Sequence, residues 1–382
     1  MNNSVTLPVS LGEALDKLTI LDIKLEKIND DRKNDVQVEY DILKEKLTNQ
    51  LQECSYYYRI LKEINLLIWE MQDDFRDKKG DPTALCMKII EENDRRFRVK
   101  KKINDLVNSS LKEQKGYART KALILTHFGN GDHLTSNGLV RYYSTMYDSV
   151  TVFCKQQCLH NLQEFYSDDK SITFHIVDNE YRYKRIHVKQ YAIKNNYNAF
   201  IITGHKGEKY VYDDLPFCFY RFVNLPYEVF WNYFHVPTLQ QAIELYNSIK
   251  KYDYVFVHNN SSRGEEFKIE DVFEELNENT LVINPCKNVY PQDHKFYNVA
   301  QSVCNKSISS YKLIMENAKI NIVSDSSFFC FMMNLELKYD DNFLYHVPGY
   351  RNYVSIFEKY PFDNTKINRK KFKIFENKIK KF

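Results

Sequence analysis

The sequence predicts an all-α segment followed by two α/β units with parallel sheets. Residues 9 to 115 carry apolar residues at helical spacing. From residue 121 onward, short apolar runs alternate with helical patterns, which is typical of parallel strands joined by crossover helices. An aromatic stretch with two prolines, residues 217–237, separates four strand candidates from three later ones, so we place the junction between the α/β units just after it.

The first segment contains start signals for two of its helices. Ser10-Leu11-Gly12-Glu13 forms a capping box, in which Ser10 accepts from a backbone amide and Glu13 reaches back. A second helix is predicted from about residue 35 to residue 76 by its apolar stripe. Asp81-Pro82 opens the third, because Asp caps the helix and Pro at its first position loses no needed hydrogen bond. We therefore expect an antiparallel helical hairpin or bundle.

The remaining chain predicts two consecutive Rossmann-like domains with a cleft between the carboxyl ends of their strands. We expect a helical domain at 1–117, an acceptor-side domain at 118–240, a donor-side domain at 241–355 and a basic C-terminal helix at 356–382. The strand candidates are Ala122–Thr126, Ser149–Cys154, Ile172–Ile176, Ala199–Thr203, Tyr254–His258, Thr280–Asn284 and Ile320–Ser324.

Composition and charge exclude several classes of protein. The net charge of +3 is too near neutral to indicate nucleic-acid binding. The N-terminus lacks the basic and apolar regions of a signal peptide, and no apolar run reaches the roughly 18 residues of a membrane span, so we expect a cytoplasmic protein. The closest cysteines, Cys154 and Cys158, have no matching second pair, so we expect no metal site.

The stretch THFGNGDH, residues 126–133, follows the first strand candidate. Gly129 and Gly131 begin a dinucleotide fingerprint, but Leu134 stands where its third glycine belongs and Asp132 would repel a pyrophosphate. A nicotinamide cofactor is therefore not expected. Asp132 suits a general base that accepts a proton from a sugar hydroxyl, and it equally suits a helix cap. The spacing alone leaves both interpretations open.

Two later stretches also follow strand candidates. In YVFVHNNSSRG, residues 254–264, a strand ends at His258 and a polar loop carries Arg263, which together can hold a phosphate or form an ordinary surface turn. In INIVSDSSFFCFMM, residues 320–333, Ser324-Asp325-Ser326-Ser327 stands between a strand and an apolar helix. The backbone amides at the start of that helix can bind an anion. Alternatively, the segment only caps the helix.

Residues from about 121 to 350 resemble a glycosyltransferase of the GT-B type, related to the heptosyltransferase and fucosyltransferase-like groups. The resemblance lies in Gly129-Asn130-Gly131-Asp132, in His258 to Gly264, and in Met315-Glu316-Asn317-Ala318 followed by Val323 to Phe328. It implies that Asp132 is the catalytic base. It also implies a donor site, for which the candidates are His258, Arg263, Ser324, Asp325, Ser326 and Ser327, and an acceptor side, for which the candidates are Asn130, His133 and Arg141.

Residues 5 to about 117 resemble a bacterial helical domain of unknown function, through LPVSLGEALDKLTILDIKLEKI, LLIWEMQDDFRD and IIEENDRRFRVKKKINDLVNS. This second resemblance implies no chemistry.

The resemblance to glycosyltransferases implies inverting, metal-independent transfer from a nucleotide-diphosphate sugar to a glycan or glycolipid acceptor, with no cofactor. A non-catalytic nucleotide- or glycan-binding scaffold, whose helical part recruits partners, is the alternative. The helical domain is a candidate surface for homo-oligomerisation. The basic tail has Phe372, Phe375, Ile379 and Phe382 at helical spacing, so it predicts a helix that packs back on the domains or contacts a membrane surface.

Overall fold

The chain is mixed α/β, with a helical N-terminal region and two parallel sheets. The computed structural model describes residues 7–116, 118–177, 185–204, 217–261, 267–269, 278–345 and 372–375. Arg263, predicted to bind a phosphate, and most of the C-terminal tail lie outside the described residues.

The helical region begins where the sequence predicts. Ser10 Oγ accepts a hydrogen bond from the amide of Glu13 at 3.3 Å, and Asp81 Oδ1 accepts one from the amide of Ala84 at 2.6 Å. Both side chains satisfy amide donors that the first helical turn leaves without intrahelical partners. The four helices are α1 Leu11–Lys27, α2 Arg32–Glu53, α3 Ser55–Arg76 and α4 Pro82–Leu106.

The prediction of one unbroken helix from residue 35 to 76 is wrong at Cys54. This residue leaves the helical conformation, with φ −101° and ψ 17°. The break separates α3, which buries one face in the core, from α2, which has no buried residue. An apolar stripe predicts helical structure in both parts, but it does not reveal which part has a partner to pack against.

Each sheet consists of parallel strand pairs. The first sheet has the order β3-β2-β1-β4 and the second has the order β6-β5-β7-β8-β9. Every residue of β5 and β7 is buried, as expected for central strands of a parallel sheet. The strands are β1 Lys121–Leu125, β2 Ser149–Cys154, β3 Ile172–Ile176, β4 Ala199–Ile202, β5 Tyr254–His258, β6 Leu281–Ile283, β7 Ile320–Ser324, β8 Asp341–Tyr345 and β9 Phe372–Phe375.

The strand order reverses direction at one place in each sheet. In the first sheet the reversal lies between β1 and β4, and in the second it lies between β5 and β7. Helices that follow strands on either side of such a reversal diverge, which opens a crevice at the carboxyl ends of the strands. The two reversals therefore mark where ligand-binding residues are expected.

The structure has two strands that sequence periodicity does not predict, β8 and β9. Phe372–Phe375 pairs in parallel with β8, so the predicted C-terminal helix is wrong at these four residues. Apolar residues every three or four positions favour a helix, but FKIF also alternates as a strand does, and an available sheet edge decides the outcome.

Shorter helices connect the strands. Two of them, α5 and α14, directly follow the loops after β1 and β7. They are α5 Asn130–Thr135, α6 Asn137–Met146, α7 Gln156–Phe165, α8 Arg185–Lys194, α9 Cys218–Arg221, α10 Glu228–Asn232, α11 Gln240–Ile249, α12 Tyr297–Ser302, α13 Lys312–Asn317 and α14 Ser327–Met332, with a 3-10 helix at Ile308–Tyr311.

Buried polar side chains join the helical region to the first α/β unit. Arg95 of α4 donates to Tyr233 Oη at 2.7 Å and to Thr145 Oγ1 at 3.2 Å, while Tyr57 of α3 donates to Asp168 Oδ2 at 2.8 Å. Within the helical region, Arg96 of α4 forms an ion pair with Asp16 of α1. Arg95 and Arg96 of α4 therefore make contacts between helices and between the helical region and the first α/β unit.

Candidate functional site

The segment after β1 leads directly into α5. The carboxylate of Asp132 accepts a hydrogen bond from the amide of Gly129 at 3.2 Å, so Asp132 stabilises the start of the helix on which it lies. Asp132 is also partly exposed. A capping role and a role as a proton acceptor are compatible, because a carboxylate has about four lone-pair sites.

The start of α5 packs against the start of α14. A Cβ atom on Gly131 would lie 3.5 Å from Ser327 Cα and 3.5 Å from Cys330 Sγ. Further along the two helices, Thr135 Oγ1 lies 3.6 Å from Cys330 Sγ. These contacts bring the segment that carries Asp132 next to the segment that carries Ser326 and Ser327, although the two are almost 200 residues apart in sequence.

At the reversal in the second sheet, His258 and two serines form a hydrogen-bonded cluster. Nδ1 of His258 lies 3.0 Å from Ser326 Oγ and 3.4 Å from Ser324 Oγ. The His258 ring packs on Phe328, with 4.6 Å between ring centroids. The cluster fixes the orientation of Ser326, which is partly exposed at the end of β7.

His258 is neutral near pH 7. Burial lowers the pKa of its imidazole to about 4, because the charged form loses its hydration. The imidazole can therefore orient Ser326 or donate a hydrogen bond to a ligand, but it supplies no positive charge to a phosphate at that pH.

Ser324 is a structural residue in this cluster. Its side chain is buried, and its hydroxyl donates to the carbonyl oxygen of Asn260 at 3.0 Å. This bond ties the end of β7 to the loop after β5. The prediction that Ser324 contacts the donor is thus not supported by its geometry, whereas Asp325, Ser326 and Ser327 are partly exposed.

The sequence led us to expect Arg141 on an accessible acceptor surface. In the structure, Arg141 does not lie on such a surface. It is 1% exposed, and its guanidinium pairs with Asp168 through contacts of 2.7 and 3.1 Å. Nε donates to the carbonyl oxygen of His235 at 2.7 Å, and Nη2 donates to that of Phe165 at 2.8 Å. Arg141 holds the core of the first α/β unit together.

The Arg141 guanidinium also determines the charge of its partner. It holds the pKa of the Asp168 carboxyl at about 2, against the opposing effect of burial. The pair is therefore ionised on both sides over the physiological range.

The other two acceptor-side candidates contain buried polar atoms without a protein partner. Among the described residues, Asn130 Oδ1 and His133 Nε2 have no hydrogen-bond partner. Burial lowers the pKa of His133 to about 3, so its ring is neutral and one nitrogen accepts. His133 is 1% exposed and is enclosed by the protein, whereas Asn130 is partly exposed, so of these two only Asn130 is accessible to a ligand.

Sequence patterns did not assign a role to two residues at the same edges of the sheets. His127 lies two residues after β1 and beside Gly204, which lies two residues after β4; a Cβ on Gly204 would be 3.1 Å from the His127 ring. Asn259 follows β5 and accepts from Asn284 Nδ2 at 2.9 Å. The available signal was position alone, since each follows the last residue of a strand candidate or lies at its end.

The described residues contain no group of three His, Cys, Asp or Glu side chains placed to hold a metal ion. In the same part of the chain, no helix combines the length and apolar character needed to cross a membrane.

Residues 5–126 match a protein family described as Family of unknown function (DUF6165). This match spans the helical region and β1, and it agrees with the resemblance to a helical domain of unknown function. No curated protein matches the chain.

Two solved structures are similar to the chain. ADP-heptose LPS heptosyltransferase II from E. coli is 11% identical with a TM-score of 0.38, and the alignment covers 67% of this chain and 90% of that one. A family 9 glycosyl transferase from Veillonella parvula is 10% identical with a TM-score of 0.33, covering 60% of this chain and 81% of that one. With TM-scores below 0.5, neither similarity establishes a shared fold.

Proposed function

We propose that the protein is a glycosyltransferase that moves a sugar from a nucleotide-sugar donor to an acceptor hydroxyl, with inversion and without a metal ion. The observation that carries this proposal is the contact between α5 and α14, each of which follows a central strand at a reversal of strand order. Crevices at such reversals commonly bind nucleotides, and the packed pair α5 and α14 therefore borders the crevice of each sheet.

In this proposal the donor binds at the reversal between β5 and β7. The partly exposed hydroxyl of Ser326, oriented by His258 at 3.0 Å, contacts the diphosphate together with Ser327 and Asp325. Because α14 has only six residues, its dipole contributes less than the hydroxyl and amide donors at its start. Arg263, five residues after His258 in the sequence, is proposed to supply the positive charge that neutral His258 lacks.

Asp132 is proposed as the base on the opposite side of the crevice. It would take the proton from the acceptor hydroxyl as that oxygen attacks the anomeric carbon, and the bond to the nucleoside diphosphate would break in the same displacement. A single displacement inverts the anomeric configuration. Asn130, which is partly exposed and has an unpaired buried Oδ1, is the nearest candidate to bind the acceptor, whereas His133 is 1% exposed and would act only from within the core.

The proposed domain organisation assigns the acceptor to residues 118–240 and the donor to residues 241–355. Both are proposed to be Rossmann-like domains of a GT-B arrangement, and stabilisation of the leaving diphosphate is assigned to Arg263 and to the donors around Ser326.

Thermal unfolding with a panel of nucleotide sugars in EDTA tests donor binding. A nucleotide sugar at about 100 times its dissociation constant should stabilise the protein by roughly 2.7 kcal/mol, a shift of a few degrees at this size. The Ser326→Ala variant should need several-fold more ligand for the same shift, because it loses one hydrogen bond. Ser248→Ala, an exposed serine on α11, is the matched control and should respond as the wild type does.

Failure of every nucleotide sugar to raise the unfolding temperature would contradict the proposal. An equal response of Ser326→Ala and wild type to the active ligand would place the donor elsewhere. Titration of His258 should not change the ligand-induced shift in unfolding temperature between pH 6 and pH 8. Its pKa of about 4 keeps the imidazole neutral over that range.

A non-catalytic nucleotide- or glycan-binding scaffold is the second candidate. It is favoured by the hydrogen bond from the Gly129 amide to Asp132, because this contact gives the carboxylate a structural role that needs no catalysis. Nucleotide-sugar binding without release of nucleoside diphosphate, with any acceptor supplied, would support the scaffold over the enzyme.

A further inference from the structure

A basic pocket lies at the amino edge of the first sheet, away from the candidate site. Its volume is about 220 Å³, and it is lined by α4, by the segment before β1 and by the starts of β2 and β3. Because β1 has five residues at about 3.3 Å each, the length of that strand, about 16 Å, separates the pocket from the segment that carries Asp132.

The charges around the pocket are unequal. Its lining includes five cationic residues and three carboxylates, which leaves an excess of two positive charges. Each carboxylate already has a partner: Asp169 binds Lys102 at 2.8 Å, Asp105 binds Lys112 at 2.6 Å, and Asp148 accepts from the Thr120 amide at 2.8 Å. The cationic residues are Arg98, Lys101, Lys102, Arg119 and Lys170.

Three of these cations form no ion pair with a carboxylate in the part of the chain that the structure describes, although Lys101 is near enough to Asp148 to help lower the pKa of that carboxyl. Lys170 Nζ donates to two neutral acceptors, the carbonyl oxygen of Asp105 and Asn108 Oδ1, each at 3.0 Å. Neither Lys101 nor Arg119 forms an ion pair with any residue that the structure describes. An anion that entered the pocket would therefore meet cations whose charge is available to it.

Arg98 gives independent support for a ligand. It is only 8% exposed, and its Nε forms an ion pair with Asp148 Oδ1 at 3.4 Å but makes no hydrogen bond with any described residue. A buried guanidinium normally has its donors satisfied, because an unpaired donor loses its hydration without compensation. The planar guanidinium matches the geometry of a phosphate group, which accepts two parallel N–H bonds.

We propose that this pocket binds a phosphate group through Arg98 and Lys101 of α4, with Arg119 and Lys170 completing the site. The volume exceeds that of several waters at about 30 Å³ each, so the phosphate group can carry further atoms with it. The phosphate belongs to a soluble phosphorylated compound or to a phospholipid headgroup. Because its ligands come from α4 and from the segments that lead into β1 and β3, bound phosphate holds the helical region against the first α/β unit.

Titration of the full chain with inorganic phosphate and pyrophosphate, followed by thermal unfolding at constant ionic strength in KCl, tests this site. The wild type should be stabilised in a saturable way. Lys101→Gln should raise the half-saturating concentration about ten-fold, because a charge-assisted contact is lost. Lys88→Gln, an exposed lysine 13 residues earlier on the same helix, is the matched control and should behave as the wild type does.

The variants also locate the site. If Ser326→Ala rather than Lys101→Gln weakens the response, phosphate binds at the carboxyl edges of the sheets and the proposal is overturned. Equal responses of wild type, Lys88→Gln and Lys101→Gln, or no saturable response, overturn it as well. Lys101 lies on the surface of the pocket and is only partly buried, so its replacement should leave the far-ultraviolet circular dichroism unchanged.

Vesicle pelleting distinguishes the two sources of phosphate. Binding to phosphatidic acid vesicles but not to phosphatidylcholine vesicles, with loss in Lys101→Gln, identifies a lipid headgroup. Saturable stabilisation by free phosphate without pelleting identifies a soluble compound. Neither result depends on whether the protein transfers sugars, so failure of the proposed function would leave this proposal standing.

Discussion

Asp132→Asn should lower the rate of sugar transfer by about 10²- to 10⁴-fold, the usual contribution of a general base. The substitution removes the proton acceptor but keeps an oxygen that can accept from the Gly129 amide, because Asn caps helices about as well as Asp does. Nucleotide-sugar affinity should therefore change little. The measurements are the rate of nucleoside diphosphate release and the dissociation constant of the donor by calorimetry.

Asp81→Asn is the control for this substitution. Asp81 is an exposed residue that caps α4 by accepting from the Ala84 amide, so it has the same local structural role far from the site. Its replacement should leave both measurements unchanged. Equal loss of donor binding and transfer in Asp132→Asn would make Asp132 a structural residue, and unchanged transfer would exclude it as the base.

Arg141→Met should destabilise the protein by about 3–5 kcal/mol, the usual effect of removing one member of a buried ion pair. The Asp168 carboxylate would keep the hydroxyl of Tyr57 at 2.8 Å but would lose its bidentate partner within the core. The carbonyl oxygens of Phe165 and His235 would lose their donor as well. The midpoint of denaturant unfolding and the thermal unfolding temperature measure the loss.

A second variant separates the buried charge from the loss of packing. Arg141→Met combined with Asp168→Asn should recover part of the stability, because no unpaired carboxylate then remains in the core. Arg76→Met, which removes an exposed pair with Asp73, should cost less than about 1 kcal/mol. If Arg141→Met were as mild as Arg76→Met, the buried network would not hold the first α/β unit together.

Much of the fold is predictable from the sequence because its signals are local. Ser10 and Asp81 indicate the starts of helices because each side chain accepts a hydrogen bond from the backbone amide three residues later. The runs at Ser149–Cys154, Ile172–Ile176, Tyr254–His258 and Ile320–Ser324 are strands with the predicted bounds. The apolar runs of β5 and β7 are typical of strands buried on both faces, and every residue of these two strands is buried, whereas β3 is largely accessible.

The features that sequence did not predict depend on distant partners. Asp341–Tyr345 and Phe372–Phe375 extend the second sheet at its edge, and their short mixed sequences gain strand structure from pairing. The break at Cys54 depends on which neighbouring helix has a surface to pack on. Periodicity describes one segment at a time, so it does not contain this information.

The same limit applies to the candidate site. Segments 129–133, 258–260 and 324–327, which the sequence places after or at the ends of strands, lie next to the two reversals of strand order. The sequence did not reveal that Ser324 donates to a backbone carbonyl or that Arg141 pairs with Asp168. The sequence does not distinguish polar side chains that stabilise these segments from polar side chains that are accessible to a ligand. That distinction depends on the burial and the hydrogen-bond partners of each side chain, which only the structure gives.

Amide hydrogen exchange with and without the stabilising nucleotide sugar tests the central claim most directly, since it reports where the ligand binds. We expect slower exchange in peptides that contain residues 129–133, 256–261 and 324–328, with no change at residues 98–105 and 169–173. Protection confined to the latter two segments, or to peptides outside both sets, would contradict a donor site between α5 and α14.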